Sequence, residues 1–114
     1  MVECVTSAIV GDECVLTLTG EIDFRYSERL GDLGVATLES HHIRLLVLDM
    51  SAVTFIDSSG LGALVRAHHA ASAHAKVLSL RNPSDAVLKV LRLCALDTLL
   101  RIENSARVLH GAES

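Results

Sequence analysis

Near the start of the chain, Cys14, Leu16 and Leu18 interleave with Val15, Thr17 and Thr19, the period of two that marks a half-buried strand. A first strand from about Val2 to Ile9 pairs with it through Gly11 and Asp12, where glycine supplies the positive φ that a tight hairpin needs. The spacing then becomes helical: Tyr26, Leu30, Leu33 and Thr37, with Gly34 and Leu38 beside them, share one face, and Ser27 is the capping residue this pattern offers. Gly31 and Gly34 each weaken such a helix by about 1 kcal/mol relative to alanine. Their presence predicts a helix lying close against a sheet.

Leu45 to Leu48 is an unbroken apolar run between Arg44 and Asp49, as expected of a central strand covered on both faces. Residues Ser51 to Ile56 read as a crossing that leads into the turn Asp57, Ser58, Ser59, Gly60, Leu61, Gly62. Leu61, Leu64, Val65 and His68 then fall at i, i+3, i+4 and i+7, the buried stripe of a second helix. Lys76 to Leu80 is the next strand. Asn82, Pro83, Ser84 and Asp85 form a helix start, with proline expected at the first helical position, and Val87, Leu88, Leu91 and Cys94 make the stripe of a third helix. Leu99 to Ile102 is a short edge strand, and Asn104 to His110 is a tail or short helix. Strands alternating with helices after an opening hairpin predict an α/β fold with a mixed sheet of four to five strands and helices packed on it. Its 114 residues fit a single domain, residues 1–114, with a core from about residue 2 to 103.

Composition narrows the function. Half of the residues are hydrophobic but only 3% are aromatic, so the core is packed from Leu, Val, Ile and Ala. The formal charge of −4, with ten scattered Lys and Arg, provides no basic stripe, and nucleic acid is not an expected partner. The longest apolar run is far short of a membrane span and no leader precedes it, so the expected location is cytoplasmic without membrane insertion. Cys4, Cys14 and Cys94, odd in number and without a CxxC pair, read as reduced, buried thiols. His68 and His69 are adjacent on a helix and do not share a face, so no metal site is expected there, nor any cofactor.

The turn carries the candidate chemistry. Ser58 and Ser59 lie where a buried strand gives way to an amphipathic helix, so unpaired N–H groups converge beside them and favour added negative charge. Gly60 and Gly62 remove Cβ atoms from the first turn and predict that another molecule approaches the backbone. Asp57 or Ser58 as a simple helix cap accounts for one acid or one serine here, but not for two serines followed by two glycines. From these residues alone, capping and function both remain open.

Leu45 to Met50, followed by Phe55, Ile56, Asp57, Ser58, Ser59, Gly60, Leu61 and Gly62, resembles the signature of STAS domains, in particular bacterial anti-sigma factor antagonists. Leu18, Thr19, Gly20, Glu21, Ile22, Asp23 and the stretch Val87 to Leu96 match as well, so the resemblance covers nearly the whole chain. It implies a protein that is a ligand and a substrate rather than an enzyme. The unmodified form binds an anti-sigma factor that is also a serine kinase and so frees a sigma factor; phosphorylation of the serine after the motif aspartate, here Ser58 with Ser59 the second choice, releases it until a serine phosphatase resets it. The partner-binding residues implied are Asp23, Asp57, Ser58, Ser59, Gly60, Leu61 and Gly62. Asp23 would hold the partner or orient Ser58, and capping the first helix is its plain alternative. Tyr26 stands where the family has a small polar residue, which bears on partner specificity, and Ala95 where a helix-ending glycine is common.

Two other readings follow from the same residues. A hydrolase with Ser58 as nucleophile lacks the GxSxG elbow and a histidine in the same turn. A non-switching STAS subunit or regulator, of a transporter ATPase or a sensory complex, would keep the fold and the turn while binding constitutively. Nucleotide binding at the turn finds neither a P-loop nor a supporting lysine.

Overall fold

Eight elements alternate along the chain: β1 (Val2–Val10), β2 (Glu13–Ile22), α1 (Phe24–Glu39), β3 (Leu45–Ile56), α2 (Ser58–Ala73), β4 (Val77–Arg81), α3 (Asp85–Leu93) and β5 (Arg101–Glu103). The computed structural model describes residues 2–40 and 42–104, with side chains from residue 6 onward. The expected terminal helix beyond residue 104, the Cys4 side chain and His41 lie outside that description. The five strands form one sheet in the order β1-β2-β3-β4-β5, with β1 antiparallel to β2 and every later neighbour parallel. Gly11 makes the β1–β2 turn at φ 61°.

The strands alternate as the sequence requires. Cys14, Leu16 and Leu18 of β2, Leu46, Leu48 and Met50 of β3, and Leu78 and Leu80 of β4 are buried in the aliphatic core. Each buried Leu or Met among them contributes about 1.5–3 kcal/mol. The other face carries a polar row in register, Thr17, Asp49, Arg81 and Glu103. There Glu103 accepts from Ser79 Oγ at 2.5 Å and from Arg81 Nε at 3.2 Å.

Several local expectations change. The cap of α1 is Asp23, whose side chain accepts from Arg25 N; Ser27 is buried inside the helix. Ser51 to Ile56 is the second half of β3 rather than a crossing. The β2–β3 pairing shifts register twice, each time with an extra residue in β3, and Ala52, Val53, Phe55 and Ile56 stay paired with Thr19, Gly20, Glu21 and Ile22. Gly31 and Gly34 face α2 more than the sheet. A Cβ on Gly31 would sit 2.7 Å from Arg66 Nη1, and one on Gly34 would sit 3.3 Å from Ala67 Cβ. This close helix pair explains why the buried stripe of α2 is Gly60, Leu61, Ala63, Leu64, Ala67 and Ala71, with Val65 and His68 only half-buried.

At α3 the cap is Ser84 and the first helical residue is Asp85, so Pro83 precedes the cap, buried, instead of opening the helix. Cys94 is exposed because α3 ends at Leu93, before the next turn that would have buried it. Ala95 adopts φ 58°, with its N–H on Arg92 O and the Leu96 N–H on Leu91 O, so the left-handed helix stop forms without glycine. The last strand is Arg101–Glu103, shifted from Leu99–Ile102. Among the described residues no helix is long and apolar enough to cross a membrane, and no cluster of three potential metal ligands occurs.

Candidate functional site

The parallel strands β2 and β3 end side by side, with Ile22 paired to Ile56, and the next residue of each is an aspartate. Asp23 and Asp57 therefore cap α1 and α2 at the same edge of the sheet. Both have extended backbones, as a capping residue requires, and both place an acid against a cluster of free N–H groups.

Asp57 joins the two helices. Its Oδ1 accepts from Gly60 N at 2.9 Å and Ser59 Oγ at 2.6 Å, while Oδ2 accepts from Phe24 N, the first residue of α1, at 3.1 Å. Its own N–H donates to Ile22 O at 3.2 Å. The Ser59 hydroxyl, then the Gly60 N–H, and more weakly the Phe24 N–H, hold the Asp57 carboxyl below the usual carboxylate range, against an opposing effect of burial. Asp23 is bound differently. Its carboxylate takes Arg25 Nη2 at 2.6 Å and Nε at 3.1 Å, and this guanidinium is the main reason its carboxyl also titrates low. Asp23 thus performs the capping role and makes no hydrogen bond to Ser58.

The two serines differ in kind. Ser59 is half-buried and its hydroxyl is spent on Asp57, whereas Ser58, at the first position of α2, is exposed. Among the described residues the Ser58 hydroxyl has no hydrogen-bond partner, because Asp57 has already capped the helix. The glycines differ as sharply. A Cβ on Gly60 would lie 2.6 Å from Ile56 Cγ1 and 2.8 Å from Ile22 O, so this glycine seats α2 on the strand ends and admits no outside molecule. A Cβ on Gly62 would meet nothing within 4 Å. Leu61 is core, 8% exposed. Of the turn, Ser58 and Gly62 face outward fully, Asp57 and Ser59 partly, and Gly60 and Leu61 point into the protein.

Tyr26 is half-buried against the core, with the Arg29 guanidinium 5.8 Å from its ring centroid. Sequence patterns did not single out Phe24, which is 74% exposed beside Asp57; the available signal was that the chain has only two phenylalanines and the other, Phe55, precedes the motif.

A family model described as "Mlab, STAS domain" matches residues 5–101. The fold is similar to that of the anti-sigma factor antagonist SpoIIAA in its unphosphorylated form, with a TM-score of 0.70 and 18% identity over 97% of this chain and 99% of that one. It is equally similar to the Bacillus cell fate determinant SpoIIAA in the phosphorylated form, with a TM-score of 0.70 and 19% identity over 96% and 99%. An anti-sigma factor antagonist from Mycobacterium paratuberculosis gives 0.78 and 20% over 97% and 94%.

Proposed function

Because this chain belongs to the STAS domain family, we propose that it is an anti-sigma factor antagonist working by partner switching, with Ser58 as the switch. The observation that carries this reading is the division of labour in the turn. Asp57 and Ser59 complete the cap of α2, leaving the Ser58 hydroxyl exposed and free of any structural duty. The unmodified surface around Ser58, including Asp57 and Gly62, binds an anti-sigma factor serine kinase. Phosphorylation at Ser58 releases the complex, and a serine phosphatase restores the binding form. The chain serves as ligand and substrate, with no catalytic role of its own.

The physics of the helix start says how such a switch works. A phosphate at the N-terminus of α2 is favoured by about 0.3–1 kcal/mol, so modification leaves the fold in place. That the unphosphorylated and phosphorylated forms of SpoIIAA match this fold equally well supports the same view. Release comes instead from about two negative charges and added bulk inside a fitted contact, next to an Asp57 that is already ionised.

The test is intact-mass measurement after incubation with ATP and the cognate kinase. One phosphate is expected on the wild-type chain and none on Ser58→Ala; modification of Ser59, or of neither serine, would contradict the assignment. Binding that persists after Ser58 is phosphorylated would assign the chain to the non-switching class of STAS subunits instead.

A further inference from the structure

Both phenylalanines of this chain stand in solvent at the edge where Ser58 lies, Phe24 at 74% exposure and Phe55 at 48%. Covering such rings with a partner is favourable, because it removes a large apolar area from water. Both are tied to Asp57 through the backbone. The Phe24 N–H is bonded to Asp57 Oδ2, and Phe55 precedes Asp57 by two strand residues, about 7 Å. Ser58 follows Asp57 directly. Both residues therefore belong to the same end of the sheet as Ser58, Phe24 at the start of α1 and Phe55 at the end of β3. The other exposed apolar side chains of the sheet, Ile9, Val10 and Val77, belong to the opposite end of the strands.

The geometry points to Phe24 and Phe55 as the anchors that hold the partner at this site, and to a protein partner that offers apolar pockets rather than a charged cleft. The inference rests on the partner-switching reading and deepens it. The charges near the rings are largely answered within the chain: Asp23 is paired with Arg25, and Asp57 is surrounded by N–H and O–H donors. Beside the Ser58 hydroxyl, the site offers a partner exposed aromatic area, and such residues dominate the affinity of protein contacts when they are fully covered. It also gives phosphorylation its mechanism. A hydrated dianion placed beside these anchors must be stripped of water if the rings are to stay seated, and this penalty is not relieved by salt as surface repulsion would be.

The experiment is calorimetric titration of the anti-sigma factor kinase with four proteins: wild type, Phe24→Ala, Phe55→Ala and, as control, Val10→Ala. Val10 is also 74% exposed but lies near the opposite end of β2. Each phenylalanine variant is expected to bind at least about tenfold more weakly, with the control unchanged and wild-type affinity nearly constant from about 0.1 to 0.5 M salt. The circular dichroism melts of all four are expected to coincide, which separates lost contact from lost fold. Phenylalanine variants that bind like wild type would overturn the anchors while leaving the switch intact. A wild-type chain that binds no such kinase would overturn the switch and this inference with it.

Discussion

Helices α2 and α3 both start where a parallel strand ends, and both open on a serine-bearing turn, but the two starts are built to different ends. At α3 the single serine is consumed: Ser84 Oγ donates to Val53 O at 2.8 Å, accepts from Val87 N at 3.4 Å, and follows a buried proline. At α2 the cap is an aspartate that also holds the start of α1, Ser59 braces that aspartate, and Ser58 is left over. The α3 start engages its one serine, whereas the α2 start leaves the Ser58 hydroxyl unengaged, as the proposed switch requires.

The largest expected effect falls on the glycine that seats α2. Gly60→Ala pushes a methyl into Ile56 and the backbone oxygen of Ile22, which cannot move aside, and should cost about 1–3 kcal/mol in a urea melt. Next comes the other start: Ser84→Ala removes a cap and its bond to β3 and should cost about 1–2 kcal/mol without weakening partner binding. Gly62→Ala should act in the opposite sense. With open space around it, alanine should stabilise α2 by about 1 kcal/mol while weakening the partner, a split between melting temperature and affinity that a purely structural glycine would not produce.

A smaller effect is the pH dependence of the joint. The folded protein holds the Asp57 carboxyl below its unfolded value of about 3.9. Its contribution is therefore complete above that value and is lost as pH falls through the lower, folded pKa. Asp57→Asn should flatten the acid side of a stability-versus-pH curve while leaving the neutral side parallel to wild type. An unchanged acid limb would show that the carboxylate does not tie the helices together in solution.

Much of the fold was legible because periodicity reports which face is buried. The period-two stretch from Cys14 to Leu18, the apolar run Leu45 to Leu48 and the stripe Val87 and Leu91 all took their expected places. What failed depended on where an element stops. Cys94 has the spacing of α3's buried stripe, but the helix ends one residue earlier, and spacing carries no meaning past that point. Ser27 has capping chemistry, yet the strand ends at Ile22, so the cap fell to Asp23. In the site, Gly60 and Gly62 are indistinguishable by composition; only the phase of α2 about its axis turns one onto Ile22 and the other to solvent. Ser58 and Ser59 are alike in composition too, and differ in the structure only because Asp57 engages the Ser59 hydroxyl.

The most direct test is to prepare the chain with phosphoserine at position 58 and measure its melting temperature and its affinity for the anti-sigma factor kinase on the same sample. The account predicts a melting temperature equal to or slightly above that of the unmodified chain, together with loss of binding. A clearly lowered melting temperature, or binding that survives modification, would contradict it.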